Sequence, residues 1–358
     1  MTSQILDEAY QRLHSTGPEF GGDEEGNHGL TNHGPMAAEV LVRRGYEDGV
    51  PGWVNAYLPR LEELPGESDR IGEETWRDAL GTGRRIGDWT AYFRRQVAER
   101  PWRDALATWW PRLLPGIAAG STHGVIRVSH AVRTLLAGNE SPVAVSELAH
   151  GLAFWAARWR PLPGAADPAG DRDAGAALAA VPHLPVQSGM IAHRIPKLAD
   201  LPGFAAAVAS LRPPVDDADV PAQLAELVDA ATVRYLAHGH GSPVLLVHTA
   251  TAPNAVLHTL PVLPRPLWTP SLHAVWAASA AIVAMYEPSA ALPREERPAP
   301  PAVANPAAEA LERAAAHGDE HVIKFTDTAV EAYARSGDPD TLAAAVHASR
   351  LLAPRPGR

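Results

Sequence analysis

Histidines that lie among small or apolar neighbours are the residues of this sequence whose type and spacing best fit chemistry. The chain has 16 histidines, and neutral imidazole is a common protein ligand for divalent transition metals. A fold that gathers several of these histidines would create a buried metal site. The segments that carry them are Asn32-His33-Gly34-Pro35, Thr122 to His130, Glu147 to Gly151, Val247-His248-Thr249 and Glu320 to Lys324.

The spacing within two of these segments is helical. His123 and His130 are seven residues apart, so on a helix they share a face about 10 Å apart along the axis. That distance suits one metal only if both side chains lean inward, or if His123 precedes the helix. His321 and Lys324 are three apart and neighbours on one face. The alternative for each histidine alone is a core or capping group that makes one backbone hydrogen bond.

Lys324 is a separate candidate for a functional residue, because it is one of only two lysines in a chain that otherwise uses arginine. A surface position would tolerate arginine, so the lysine indicates chemistry that a guanidinium cannot perform. A neutral, desolvated lysine could react with carbon dioxide to form a carbamate, an anionic oxygen ligand. The alternative is a lysine whose stem covers an apolar helix face while its amine reaches water.

Several classes of site are excluded by what the sequence lacks. There is no cysteine, which removes disulfides, thiolate nucleophiles and iron–sulfur clusters. No Walker loop, HExxH or GxSxG pattern is found. The segment Gly81 to Gly87 follows a helical stretch and not a strand, so it fails as a dinucleotide loop. His238 and His240, in HGHGS, give only a weak metal signal.

Charge and hydropathy limit the partners. With 31 Lys and Arg against 41 Asp and Glu, the net charge is −10, which leaves no basic stripe for nucleic acid. No run approaches about 18 uninterrupted apolar residues, as a membrane span requires. The N-terminal segment lacks the pattern of a signal peptide. We therefore expect no nucleic-acid or membrane partner and a cytoplasmic protein, whose oligomeric state the sequence leaves open.

Helix signals dominate the chain, so we predict an all-α protein with irregular Pro- and Gly-rich connections and a single domain over residues 1–358. One strand candidate, Pro243 to His248, could equally be a buried helical turn. A Gly- and Asn-rich loop is predicted at Gly21 to Asn32. The predicted helices are Ser3–His14, Pro35–Gly45, Glu73–Leu80, Trp89–Glu99, Trp102–Leu114, Gly124–Leu136, Val143–Arg158, Pro221–Ala237, Ser271–Met285, Pro306–His317, Glu320–Ser336 and Pro339–Leu351.

Four segments together resemble the questin oxidase-like family. They are NHGPMAAEVLVRRG, LPGIAAGSTHGVIRVSHAVR, ELAHGLAFWAARW and DEHVIKFTDTA, and they extend over most of the chain. The second and fourth are the most specific, because they combine several unusual residues in fixed order. The resemblance implies a mainly helical fold without a classical flavin domain. It also implies oxygenation of aromatic polyketides, of the Baeyer–Villiger type or by ring-cleaving dioxygenation.

The resemblance further implies a non-haem iron(II) centre with a carboxylated lysine among its ligands. Matched position by position, the ligands are His33, His123, His130 and Lys324, with His321 as the fourth imidazole. His248 is the alternative for that role, and we also consider His248 and His150 as catalytic residues near the ligand set.

The partners that follow from this interpretation are dioxygen and a small aromatic substrate, with NADPH as an external reductant where one is needed. Trp109, Trp110 and Trp155 flank the histidine segments and could stack against the substrate, although ordinary core packing is the alternative for each. Arg127 could pair with Glu39, with Glu147 or with a substrate oxyanion.

Two other kinds of function remain open from the sequence. The first is a metal-independent, NADPH-assisted monooxygenase in which histidines act as general bases on a phenol. Activity that survives a strong chelator would favour it. The second is a noncatalytic helical protein that binds an aromatic ligand. Recovery of the ligand unchanged after aerobic incubation with iron would favour that function.

Overall fold

The computed structural model describes residues 2–22 and 28–354 and is 70% helical, which confirms the all-α prediction. The chain divides into two compact units. Unit 1 contains Met1–Pro161 and His258–Pro264, and unit 2 contains Leu162–Leu257 and Arg265–Pro356. The single domain over residues 1–358 stays a prediction.

Unit 1 is built mainly from helices, of which α1 buries one apolar stripe that includes Leu6, Tyr10 and Leu13, whereas α2 and α7 are buried on nearly all sides. Helix α7 packs along α8, and α8 also packs along α5. The helices of unit 1 are α1 (Thr2–His14), α2 (Gly34–Arg43), α3 (Val50–Tyr57), α4 (Trp76–Ala79), α5 (Ile86–Glu99), α6 (Trp102–Leu113), α7 (His123–Leu136) and α8 (Pro142–Arg158).

A small antiparallel sheet accompanies these helices, and the sequence did not predict it. Its strands are β1 (Thr16–Gly22), β2 (His28–Leu30) and β3 (Leu61–Glu63), with β1 in the centre. Residues 23–27, in the middle of the predicted loop, lie outside the described residues. Glu19 of β1 is opposite Leu30 on one side and Leu61 on the other, so both neighbouring strands fix its backbone.

Unit 2 is helical, and its longest helices are buried along much of their length. Helix α17 packs against α16, α18 and α12. The helices are α9 (Ala174–Ala179), α10 (Ile191–Arg194), α11 (Phe204–Ala209), α12 (Val220–His238), α13 (Pro243–Leu246), α14 (His248–Thr259), α15 (Trp268–Tyr286), α16 (Pro306–His317), α17 (Glu320–Ser336) and α18 (Pro339–Leu351).

Capping side chains explain where the best-predicted helices begin. The hydroxyl of Ser141 accepts from the N–H of Ala144 at the start of α8. Asp319 accepts from the N–H groups of His321 and Val322 at the start of α17. Such a side chain satisfies one of the backbone donors that the first turn leaves unpaired. These local signals are visible in the sequence, and the predicted ends of the two helices agree with the structure to within one residue.

Of the two alternatives for Pro243 to His248, a strand or a buried helical turn, the structure shows the helical one. Pro243–Leu246 forms the short helix α13, and His248 begins α14. A short apolar run does not distinguish a buried strand from a buried helical turn, and here Pro243 occupies the first turn of a helix, where its missing N–H is harmless.

One helix among the described residues is long and apolar enough to cross a membrane by length and composition alone. It spans Arg265–Tyr286, and 67% of its apolar window is buried inside the structure. Its buried residues include Trp276, whose indole N–H donates to the carbonyl of Val208. Burial against the protein's own side chains is typical of the core helix of a soluble protein.

Candidate metal centre

The turn that carries His33 is fixed by its neighbours. Asn32 accepts from the N–H of Gly34 through its side-chain oxygen at 3.1 Å, and its amide donates to Thr16 at 3.1 Å. A Cβ on Gly34 would come within 2.7 Å of the Leu13 side chain and 2.9 Å of Tyr57. Pro35 lies in the first turn of α2. Asn32, Gly34 and Pro35 therefore each have a structural role in the turn that carries His33.

Glu19, on the central strand, holds the His33 ring. Its carboxylate accepts from Nδ1 of His33 at 2.8 Å and from Arg60 at 2.8 Å, and it also accepts from the hydroxyl of Tyr57. That hydroxyl accepts from the His33 backbone N–H at 2.6 Å. With the Nδ1 proton donated to a carboxylate, the Nε2 atom of a neutral His33 ring would carry no hydrogen and present a lone pair.

The loop before α7 has an unusual backbone. Gly120, Ser121 and Thr122 all have left-handed dihedral angles, with φ of 58°, 54° and 64°. For residues with a side chain this conformation costs on the order of 1–2 kcal/mol each. It directs the carbonyl of Gly120 to Nδ1 of His123, at 2.6 Å. A carbonyl only accepts, so Nδ1 carries the proton and Nε2 of His123 presents a lone pair.

His33 and His123 meet through these two Nε2 atoms, which are 2.9 Å apart. Both rings are buried, with 3% and 7% of each residue exposed, and their planes are nearly perpendicular. We call His33 and His123 the facing pair. Each has its other ring nitrogen bound to a carboxylate or a backbone carbonyl, which is the arrangement usual for histidines that bind a metal.

His130 is held in a different network. Its Nδ1 is 2.7 Å from the carboxylate of Glu39, which also binds Arg133. Burial alone would raise the pKa of Glu39, but Arg133 and His130 lower it well below its usual range. His130 does not belong to any group of three potential ligand atoms within 4.8 Å of one another among the described residues. Its role as a ligand stays a prediction.

His150 lies on α8 and stacks on His14. Their ring centroids are 4.3 Å apart and their planes differ by 11°. We call these two residues the stacked pair. Burial, followed by His14 and Arg127, lowers the pKa of His150 well below its usual value. His150 is therefore a neutral imidazole, and its proposed catalytic role stays a prediction.

Arg127 pairs with Glu147, one of the partners that the sequence suggested. Its Nε and Nη2 atoms donate to the two carboxylate oxygens at 2.6 and 3.0 Å, and His14 lies 2.9 Å from the same carboxylate. Burial alone would raise the pKa of Glu147, but Arg127 and the hydrogen bond from His14 lower it to about 2. A carboxylate that is 1% exposed thus remains ionised.

The three tryptophans singled out from the sequence are fully buried. Trp109 contacts the rings of Trp89 and Phe93 in an aromatic cluster. Trp110 packs edge-on against Trp155, with centroids 5.3 Å apart. A Cβ on Gly124 would come within 2.6 Å of Trp155. Core packing accounts for all three positions, and a contact with substrate stays a prediction.

Unit 2 carries its own histidine group at the starts of α14 and α17. The rings of His248 and His321 are 5.8 Å apart, and Nδ1 of His248 donates to the carbonyl of Leu245 at 3.1 Å. Burial, followed by the neighbouring His321 and Lys324, lowers the pKa of His248 well below its usual value. Lys324 is 4% exposed and lies one turn after His321. Its carboxylation stays a prediction.

Two carboxylates accompany His321. Its Nδ1 is 3.7 Å from Asp319 and 3.6 Å from Glu320, and ligand atoms of the three residues lie within 4.8 Å of one another. All three are buried. This group of imidazole and carboxylate side chains could hold a metal ion. The sequence indicates His321 as a ligand but neither carboxylate, because Asp319 resembles an ordinary helix cap.

The residues that hold the facing pair were also missed by sequence reasoning. Glu19 lies in an irregular Gly-rich segment, and Tyr57 in a helix that was not predicted. The segment around Glu19 has no periodic pattern that would assign it a buried face, whereas Val50, Trp53, Val54 and Tyr57 follow helical spacing and could have indicated one. A polar residue beside Gly and Pro is usually exposed, so the signal was weak.

Comparisons with known proteins leave the family assignment as a resemblance. No protein-family model matches the chain, and a search of curated proteins finds no significant match.

Proposed function

We propose that the protein is a non-haem iron oxygenase that acts on a small aromatic substrate, and that His33 and His123 bind the iron. The observation that carries this proposal is the 2.9 Å distance between their Nε2 atoms. The resemblance of the histidine segments to the questin oxidase-like family supplies the reaction class. The two arguments are independent of each other.

The short distance between the two Nε2 atoms requires a positive charge near them. Two lone pairs at 2.9 Å repel each other unless a proton or a metal ion lies between them or bridges them. If two imidazole nitrogens bind one ion with bonds of about 2.0–2.1 Å that make an angle of about 90°, the two nitrogens lie about 3 Å apart. The bonds from Nδ1 to Glu19 and Gly120 fix both tautomers in the form that a metal requires.

The donor set fits iron by its chemistry. Imidazole suits zinc, copper, iron and nickel, and no thiolate competes in a chain without cysteine. Bound iron(II) would supply the activation of dioxygen, for which side chains alone are poor agents. If one oxygen atom enters the product, the other leaves as water and an external reductant such as NADPH supplies two electrons. If both atoms enter the product, no reductant is needed.

The residues of the chain have separate tasks in this proposal. Glu19 holds the His33 ring and places a negative charge behind it. The left-handed loop holds His123. The assignments of His130, His321 and Lys324 as further ligands, and of His150 and His248 as catalytic residues, stay predictions.

The experiment is metal binding by purified protein reloaded with iron(II) under argon. Wild-type protein should retain close to one iron per chain after dialysis, and His33→Ala and His123→Ala should lose it, because each removes one of two neighbouring ligands. His193→Ala is the matched control, since His193 is exposed and lies outside the facing pair. Metal content is measured by mass spectrometry, and folding by circular dichroism.

Three outcomes would change the proposal. Folded His33→Ala and His123→Ala proteins that both keep their iron would remove the facing pair from the site. Tight zinc binding in preference to iron would keep the metal site but exclude the oxygenase. A protein that binds no metal and still oxidises a phenol in the presence of a chelator would favour the metal-independent monooxygenase.

A further inference from the structure

The segment that leads into His123 is strained, and we call its residues Gly120, Ser121 and Thr122 the left-handed loop. Within the described ranges 2–22 and 28–354, Ser121 and Thr122 are the only residues other than glycine with a positive φ, at 54° and 64°. A side chain makes this conformation unfavourable, and the branched Cβ of Thr122 makes it a clear outlier. Such residues persist only where the surrounding structure holds them, and they are concentrated at functional sites. The loop therefore needs contacts that oppose its relaxation.

One of these contacts comes from Thr122 itself. Its side chain is fully buried, and its hydroxyl donates to the carbonyl of Ser121 at 2.6 Å. That carbonyl belongs to the peptide unit that links the two strained residues. Relaxation of either residue would rotate this peptide unit and break the hydrogen bond. The hydroxyl of Thr122 therefore opposes the release of the strain.

The other end of the loop is fixed by packing against α8. A Cβ on Gly120 would come within 3.1 Å of the Phe154 ring, so glycine allows the loop to lie this close to the helix. Gly120 has a φ of 58°, which a glycine adopts without strain. Its carbonyl accepts from Nδ1 of His123 at 2.6 Å. The loop thus joins a fixed glycine, which holds the imidazole, to the hydroxyl that opposes relaxation.

We propose that Thr122 is a positioning residue for His123. Its hydroxyl keeps the left-handed loop closed, and the closed loop keeps the carbonyl of Gly120 on Nδ1, so that Nε2 of His123 points toward His33. Without the hydroxyl, the strain is released by rotation of the peptide unit, and the imidazole loses the bond that fixes its orientation. The consequence for iron rests on the proposed function, whereas the orientation of the His123 ring is also a property of the metal-free protein.

The variants separate the hydroxyl from the strain. Thr122→Val removes the hydroxyl but keeps the branched Cβ, so the strain remains, whereas Thr122→Ser keeps the hydroxyl. Ser121→Gly removes the strain at one position and, among the described residues, no side-chain hydrogen bond. Thr232→Val is the matched control, because the hydroxyl of Thr232 is equally buried and donates to the carbonyl of Val228 at 2.7 Å, but lies within the regular helix α12.

Two measurements follow the imidazole. The first is the exchange rate of the His123 Nδ1 proton with water, by NMR of metal-free protein labelled with nitrogen-15. The second is the affinity for iron(II), by competition with a chelator under argon. We expect Thr122→Val to speed the exchange and to weaken iron binding, each by about fivefold, as for the loss of one hydrogen bond. Thr122→Ser and Thr232→Val should match wild type in both measurements.

The double variant Ser121→Gly, Thr122→Val tests the strain directly. It should recover most of the loss seen in Thr122→Val, because glycine adopts left-handed dihedrals without the strain that the hydroxyl opposes. For the same reason, Ser121→Gly alone should raise the urea midpoint of unfolding, which keeps the proposal testable if Thr122→Val does not fold.

Three results would overturn the proposal. They are wild-type exchange and iron affinity in Thr122→Val, a double variant no better than Thr122→Val, and a lower urea midpoint in Ser121→Gly. The exchange rate is measured without metal, so its failure concerns the loop alone. A wild-type protein that binds no iron would overturn the proposed function and leave the exchange result standing.

Discussion

Two pairs of histidines in unit 1 have opposite geometries. In the facing pair, His33 and His123 direct nitrogen toward nitrogen at 2.9 Å with their planes nearly perpendicular. In the stacked pair, His14 and His150 lie face to face at 4.3 Å with their planes nearly parallel. Both pairs are largely buried and both have a carboxylate partner. The orientation of the rings is what separates them.

The orientation decides what each pair requires. Lone pairs that point at each other need a cation between them, whereas rings that stack face to face do not. The carboxylate of the facing pair, Glu19, binds the ring nitrogen that points away from the partner ring. The carboxylate of the stacked pair, Glu147, is shared by Arg127 and His14 and leaves His150 unbound. The facing pair is therefore suited to metal binding, whereas the stacked pair requires no ion between its rings.

The largest effect should come from breaking the ion pair beneath the stacked pair. Glu147→Gln leaves the guanidinium of Arg127 buried without its carboxylate, which typically costs about 3–5 kcal/mol. The measurement is the free energy of unfolding in urea. The double variant Arg127→Met, Glu147→Leu should lose less than Glu147→Gln, because it leaves no buried charge. A cost below about 1 kcal/mol for Glu147→Gln would show that the charge reaches water.

A smaller effect is expected at α7, the helix that begins at His123. In Gly124→Ala, the new Cβ would lie within 2.6 Å of the Trp155 side chain and 2.8 Å of its Cα. Overpacking of this kind costs up to about 3 kcal/mol, and the displaced α7 should move His123 and weaken iron retention. The control is Gly49→Ala, since Gly49 is exposed with an ordinary helical φ of −79° and no neighbour within 4 Å. Unchanged stability and iron content in Gly124→Ala would show that Gly124 does not help to position His123.

The helices of both units were largely predictable because their signals are local. Apolar residues at helical spacing, Ser141 and Asp319 as caps, and Gly337 after α17 all appear in the sequence as ordinary helix signals. His33 and His123 were predicted from their motifs. Their meeting was expected only from the resemblance, which makes both of them ligands of one iron, because 90 residues separate them and spacing along the chain carries no information on such contacts.

What the sequence missed depends on contacts between distant segments. The sheet that carries Glu19 has short strands with an irregular register, which produces no alternating pattern. Ser121 and Thr122 adopt left-handed dihedrals that their residue types disfavour, so local preference points to another conformation there. The stacked pair joins α1 to α8, and only tertiary packing places His14 on His150.

The smallest of the expected effects is a pH dependence of the free energy of unfolding. It would show that His150 of the stacked pair is neutral in the folded protein. Because its folded pKa lies well below the ordinary value, the unfolded chain binds a proton on this imidazole below pH about 6.5, whereas the folded protein does not. Stability should therefore fall as the pH decreases, by about 1.4 kcal/mol between pH 7.5 and 5.5 for this group. His150→Gln removes the titrating group, so its loss of stability over this interval should be smaller than that of wild type by the same amount. Urea unfolding of both proteins at the two pH values gives the comparison. If the two proteins lose equal stability, His150 accepts a proton in the folded state and the stacked pair carries charge.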